Sequence, residues 1–107
     1  MSKRTDKTYF ALVRMLPCVK CGSTTNVQVC HIRKFTDGGT GLKPSPWFVL
    51  PMCDKCHAEQ HRVGELSFWG GEDGVYNAID WAGELYRAKG CIFTAQRVIA
   101  SARVELS

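Results

Sequence analysis

Two Cys-x-x-Cys pairs constrain the fold of this chain more than any other feature of its sequence. The pairs are Cys18–Cys21 and Cys53–Cys56, and residues 22–52 separate them. Four thiols in this spacing are typical of a structural Zn²⁺ site. Disulfides are the alternative, but they belong to exported chains, and no apolar export signal follows the basic start Met1–Arg4. The sequence therefore predicts a zinc-stapled domain and a cytoplasmic location.

Length and composition indicate that such a staple is needed. The 107 residues fit one domain, and the segment from Cys18 to Gly64 is rich in Gly, Pro and Cys but poor in long apolar runs. Hydrophobic burial alone stabilises a segment of this kind weakly, so we expect a bound metal to contribute. The formal charge of +4 would fall to roughly +2 with one Zn²⁺ on four thiolates. That charge is too small to indicate nucleic-acid binding by itself, and no stretch is long enough to span a membrane.

Hydrophobic periodicity predicts helices and two short strands. Apolar residues at helical spacing predict a first helix over Asp6–Leu16, and alternation predicts a strand over Val27–Arg33. A second strand is expected over Trp47–Leu50 and should end at Pro51, because proline donates no N–H to a sheet. A further helix is expected over about Asp54–Val63.

Two amphipathic helices are predicted to follow. Their apolar positions run from Val75 to Tyr86 and from Ala95 to Leu106, with Thr94 as the N-cap of the second helix. Cys91, between them, has no partner motif and is predicted to be a core residue. The expected organisation is a single domain, residues 1–107, with a core at 17–69, an N-terminal helix at 1–16 and a C-terminal helical extension at 75–107.

Three histidines offer chemistry beyond the cysteines. His57 and His61 lie four residues apart on a predicted helix, so both imidazoles can reach one metal ion. His31 lies in the first predicted strand, and a neutral imidazole can accept a proton near neutral pH. Other roles stay open: a buried, hydrogen-bonded strand histidine for His31, an alternative zinc ligand for His57, and an exposed helical residue for His61.

The chain resembles the HNH endonucleases of the His-Me finger, or ββα-metal, superfamily. The resemblance is carried by the first cysteine pair and by the stretch CHIRKFTDGGTGLKPSPWFVLPMCDKCHAEQHRVGE. More narrowly, residues 17–69 resemble small phage and prophage HNH proteins related to recombination-associated nucleases. The resemblance implies an α+β fold built on a zinc-stapled ββα-metal (treble-clef-like) module with flanking helices. It also implies hydrolysis of DNA phosphodiester bonds to 5′-phosphate and 3′-hydroxyl ends, with His31 as the general base.

The same resemblance implies a second, catalytic metal. Within the superfamily, the colicin-type DNases bind a divalent ion through an H-x-x-x-H pair, which here would be Mg²⁺, Mn²⁺, Ni²⁺ or Zn²⁺ on His57 and His61. Cys30 stands where the superfamily has Asp or His, so it is either a third ligand of that ion or a buried small side chain. Phe48 stands about where the motif has an asparagine that fixes the loop of the base.

Basic residues near the histidines are candidates for binding DNA phosphates. These candidates are Arg33, Lys34, Lys43 and Arg62. The expected partner is DNA, with a homodimer through the apolar faces of the C-terminal helices or phage recombination or packaging proteins as further expectations. The competing function is a non-catalytic zinc-finger adaptor that binds DNA or protein, which would need the four cysteines and none of the histidines.

Overall fold

The computed structural model of the protein describes residues 6–38 and 44–106. Within these ranges the chain forms five helices and one two-stranded sheet. The elements in chain order are α1 Lys7–Arg14, β1 Val27–His31, β2 Val49–Cys53, α2 Asp54–Val63, α3 Glu65–Trp69, α4 Glu72–Arg87 and α5 Ile92–Leu106. The Cα radius of gyration is 12.7 Å, against about 13 Å expected for a compact chain of this length. The predicted α+β class is therefore confirmed.

Helix α1 begins where the sequence predicts it. The side chain of Asp6 caps the helix by accepting a hydrogen bond of 3.0 Å from the N–H of Tyr9. Tyr9, Phe10 and Val13 form its buried face. This face covers the sheet, as predicted for an amphipathic helix at the edge of a small module.

The sheet runs through Pro51, which corrects the prediction that the second strand ends there. Strands β1 and β2 are antiparallel, with Val29 opposite Pro51. Hydrogen bonds from Ile32 to Phe48 and from Asp54 to Asn26 close the two ends of the ladder. In the resulting alternation position 51 falls in a non-hydrogen-bonded pair, where its nitrogen faces away from β1. Proline therefore costs the ladder nothing at this position.

Helix α2 follows β2 without a linker. Cys53 is the last strand residue and the N-cap of α2, where its thiol accepts a bond of 3.5 Å from the N–H of Cys56. The helix has the predicted bounds, Asp54–Val63, and ends at Gly64, whose φ of +89° suits glycine. The second cysteine pair thus lies at a strand-to-helix junction.

The two C-terminal helices pack onto the metal module. Their buried residues join those of α1 and the sheet in one hydrophobic cluster. The apolar faces of these helices therefore contribute to the core of the chain, and the homodimer stays a prediction. The buried residues of α4 and α5 are Val75, Ala78, Trp81, Ala82, Leu85, Ala95, Ile99 and Ala102.

Two local predictions near α5 are wrong. The helix begins at Ile92, so Thr94 lies in its first turn, and the N–H of Ala95 donates to the carbonyl of Cys91. Cys91 is exposed at that helix start and is not a core residue. Within residues 6–38 and 44–106, no helix is both long and apolar enough to cross a membrane.

Candidate metal centre and histidine cleft

The four cysteines of the two predicted pairs meet at one point. Their sulfur atoms all lie within 4.8 Å of one another, and the Sγ atoms of Cys21 and Cys53 are 3.7 Å apart. Sulfurs bound to one tetrahedral Zn²⁺ at about 2.3 Å would be about 3.8 Å apart, whereas a disulfide would hold them at about 2.0 Å. All six cysteines are free thiols. The site can hold a metal ion such as zinc, as the spacing predicts.

Backbone hydrogen bonds shape the first cysteine pair and fix it to the sheet. The N–H of Gly22 donates to the carbonyl of Cys18 at 2.9 Å, and Gly22 has a φ of +82° that residues with a Cβ rarely adopt. The N–H of Val19 donates at 2.9 Å to the carbonyl of Pro51 in β2. The first pair is therefore held against the strand that leads into the second.

The thiols of the cluster differ in proton affinity. Burial would raise the pKa of Cys18, but hydrogen bonds from the backbone of Cys21 and Cys53 outweigh it and lower that pKa to about 7. Burial, together with the neighbouring thiols, raises the pKa of Cys56. A bound divalent cation stabilises the thiolate form, so metal binding at this site must release protons.

His57 and His61 converge on one point, as their spacing predicts. Their Nε2 atoms are 3.2 Å apart, a separation that suits two nitrogen ligands at about 2.0–2.1 Å from one ion. The Nδ1 atom of His57 lies 2.7 Å from Oε1 of Gln28, an acceptor, so Nδ1 carries the proton and Nε2 keeps its lone pair. Burial, and then the charge of His61, lower the pKa of His57, which favours the neutral ring.

His31 and His61 line the same open cleft, although they come from different elements. The cleft has a volume of about 530 Å³, and Arg33, Lys34 and Glu65 also line it. His31 ends β1, where its ring makes a perpendicular contact with Phe10 of α1 at 5.6 Å between centroids. The fold thus brings the predicted base and one predicted metal ligand to one surface.

Glu65 orders the backbone that leaves His31, and no pattern in the sequence points to it. Its carboxylate accepts hydrogen bonds from the N–H groups of Arg33 at 2.8 Å and Lys34 at 2.7 Å. Further along the loop, the N–H of Ser45 donates to Asp37 at 2.9 Å. These bonds provide a restraint near the base in a chain that has Phe48 where the resembled motif has asparagine.

Cys30 occupies the second of the two roles left open for it, that of a buried side chain. Its thiol donates a hydrogen bond of 3.1 Å to Oε1 of Gln60, which is itself buried. Burial raises the pKa of Cys30 to about 12, so it holds its proton at neutral pH. Within the described residues, three or more possible metal ligands come together at the cysteine cluster. Cys30 does not belong to this cluster. The structure does not bring Cys30 to the histidine pair.

The four predicted phosphate-binding cations differ in their position relative to the cleft. Arg33 and Lys34 are exposed and line the cleft. Arg62 does not line it, and its guanidinium forms two hydrogen bonds with the carboxylate of Glu59, at 3.0 and 2.6 Å. Lys43 lies outside the described residues. The geometry favours Arg33 and Lys34 as the cations of the cleft.

Comparison with known protein families gives a match over most of the chain. A family model described as "Protein of unknown function (DUF968)" matches residues 1–79 of the 107. This range contains the four clustered cysteines, the three histidines and Glu65, whereas α5 lies beyond it. No curated protein and no solved structure matches the chain.

Proposed function

We propose that this chain, which belongs to the DUF968 family of proteins of unknown function, is a metal-dependent HNH endonuclease that hydrolyses DNA phosphodiester bonds. The observation that carries the proposal is the cleft, which His31 and His61 line together with the cations Arg33 and Lys34. A general base, a metal-binding imidazole and phosphate-binding cations on one surface are what phosphodiester hydrolysis requires.

Each histidine has its own role in the proposal. His31 accepts the proton of the attacking water. His57 and His61 hold a divalent ion, which when bound stabilises the charge on the phosphate and the leaving oxygen. Gln28 supports this role by leaving Nε2 of His57 unprotonated toward His61. The candidate ions are Mg²⁺, Mn²⁺, Ni²⁺ and Zn²⁺.

The fold proposed for this function is a treble-clef-like ββα-metal module. Its parts are the β1–β2 hairpin and α2, with the two cysteine pairs at the start of the hairpin and at the start of α2. Zinc is the proposed ion of the cysteine cluster because four thiolates in tetrahedral spacing favour it. Its role is structural, since four protein ligands leave no open position for substrate.

Nicking of supercoiled plasmid tests the proposal. The wild-type chain should nick DNA with Mg²⁺, Mn²⁺ or Ni²⁺, and His31→Ala should reduce the rate by at least about 100-fold through loss of the base. Because His31 contacts Phe10, His31→Gln serves as a second variant of similar size. Melting curves and zinc content show that each variant is folded. Undiminished nicking by both folded variants would rule out the mechanism.

The phosphate-binding role has a matched pair of variants. Arg33→Ala should weaken DNA binding and reduce its dependence on salt, because Arg33 lines the cleft. Arg97→Ala removes an exposed arginine of α5 that does not line the cleft and should leave binding unchanged. Equal losses for both variants would place the DNA elsewhere on the surface.

A non-catalytic zinc-finger adaptor is the second candidate function. It is favoured by the absence, in the described ranges, of a third Cys, Asp, Glu or His ligand grouped with His57 and His61. An adaptor needs only the cysteine cluster. Absence of nicking in every metal by folded wild-type protein, together with DNA binding that survives His31→Ala, would favour the adaptor over the nuclease.

A further inference from the structure

Two exposed aromatic rings are stacked, and one of them belongs to the residue that directly follows Lys34 of the cleft. Phe35 and Tyr76 are nearly parallel, at 11° between planes and 4.9 Å between centroids. Phe35 is 44% exposed and Tyr76 is 51% exposed, although aromatic rings in a domain this small are usually buried. Residue 35 follows β1 and residue 76 belongs to α4, so the tertiary fold alone brings the rings together.

The loop presents Phe35 in an unfavourable backbone conformation. Its φ is +62°, in the left-handed region that bulky residues rarely adopt. Bonds on both sides maintain this conformation, since Glu65 accepts from the N–H of Lys34 at 2.7 Å and the hydroxyl of Thr36 donates to the carbonyl of Arg33 at 2.8 Å. Strained residues held by their surroundings concentrate at functional sites.

The two residues that precede Phe35 are cations of the kind that bind polyanions. Arg33 and Lys34 line the cleft and directly precede Phe35, whose Cα is therefore about 3.8 Å from that of Lys34. Surfaces that bind single strands combine cations along the phosphates with aromatic rings on which bases stack. An apolar protein partner would gain nothing from these cations, so a nucleobase fits the surroundings of the rings better.

We infer that Phe35 and Tyr76 form a stacking platform for an unpaired base of a strand that enters the cleft. The preferred substrate of the site is therefore DNA with a single-stranded segment, such as a single strand or a branched duplex. This inference rests on the proposed function for its placement of DNA in the cleft, but base stacking can be measured without cleavage.

The experiment compares two probes with the same number of phosphates. Fluorescence anisotropy measures binding of the zinc-loaded chain, without added divalent ion, to a 12-nucleotide oligothymidylate and to an abasic strand of the same length. Phosphate contacts are equal for both, so the ratio of the two dissociation constants reports stacking. We expect the wild-type chain to bind oligothymidylate roughly tenfold more tightly than the abasic strand.

Variants assign that preference to the two rings. Phe35→Ala and Tyr76→Ala should each reduce the ratio toward one, and Phe35→Trp should retain it, because tryptophan also offers a flat ring. Phe93→Ala is the matched control, since Phe93 is a 72% exposed ring on α5 that does not belong to the Phe35–Tyr76 stack. Melting curves confirm that each variant is folded.

Plasmid nicking on the same proteins separates this inference from the nuclease proposal. A wild-type ratio near one, or a ratio that folded Phe35→Ala leaves unchanged, would overturn the platform even if nicking is normal. A ratio that depends on Phe35 in protein without nicking would support the platform and contradict the nuclease.

Discussion

The orientation of His57 depends on one amide across the contact between β1 and α2. Gln28 accepts from Nδ1 of His57 at 2.7 Å, and the opposite nitrogen of the ring then faces Nε2 of His61 at 3.2 Å. A partner of this kind fixes the tautomer and the ring position of a metal-binding histidine. Gln28 is therefore expected to act on a metal ion without touching it.

Replacing this glutamine tests that role. Gln28→Leu should weaken binding of a divalent ion to the histidine pair by about 10- to 100-fold, and leave the cysteine cluster metal-loaded. Titration calorimetry with Ni²⁺ on zinc-loaded protein measures the change. Gln96→Leu, at an exposed position of α5, is the control and should bind as the wild type does. Equal affinity for both variants would show that Gln28 does not orient the site.

At the scale of elements, the junction between α3 and α4 depends on close backbone contact. A Cβ added at Gly74, in the first turn of α4, would lie 1.7 Å from the carbonyl oxygen of Trp69, the last residue of α3. No real Cβ approaches backbone so closely, so the helices can meet at this angle only with glycine at this position. The same helix later carries Tyr76, so the junction also helps to place the proposed stacking platform.

Two glycine variants of α4 should have opposite effects. Gly74→Ala should lower the free energy of unfolding by about 2 kcal/mol, because the helices must separate to admit the methyl group. Gly83→Ala is the control: its Cβ would meet only the end of the Arg87 side chain at 3.5 Å, and alanine should stabilise the helix by up to about 1 kcal/mol. Urea denaturation measures both. A Gly74→Ala variant as stable as Gly83→Ala would contradict the contact.

At the scale of the whole molecule, the metal centre is continuous with the core. Cys18 and Cys53 are buried within the same hydrophobic cluster as Leu85 of α4 and Ile99 of α5. The cysteine cluster therefore contacts, through one core, elements from both ends of the described chain. Loss of the metal should affect the entire fold and not only the segment between the cysteine pairs.

Metal removal tests this coupling. The wild-type chain should contain one tightly bound zinc in the cysteine cluster, and a strong chelator should lower the melting temperature of the whole chain in one transition. Cys21→Ser should lose that zinc and have a lower melting temperature. Cys91→Ser changes an exposed cysteine outside the cluster and should retain the zinc. Atomic absorption and circular dichroism make the two measurements. Two separate melting transitions after chelation would show that α4 and α5 fold independently of the metal.

Local rules account for much of the structure. The spacing of the cysteine pairs is sufficient to predict their cluster, and the i, i+4 spacing of His57 and His61 predicts their convergence. Likewise, α1 begins next to the capping residue Asp6 at the start of an apolar pattern, so its start follows from positions that are neighbours in the chain. In each case the interacting atoms are close in sequence or share one strong ligand chemistry, and the sequence by itself determined them.

The tertiary structure decided which side chains meet across elements. Glu65 binds backbone groups 31 and 32 residues away, Cys30 bonds to Gln60, and Phe35 stacks on Tyr76. These pairings depend on the register of the sheet and on the angles between helices, which no local periodicity encodes. Pro51 is a further example, because it is tolerated in β2 only where the strand pairing leaves its nitrogen without a hydrogen-bond partner in β1. The sequence therefore determined the cysteine cluster and the convergence of His57 and His61, and only the folded chain placed His31, Arg33 and Glu65 along one cleft with His61.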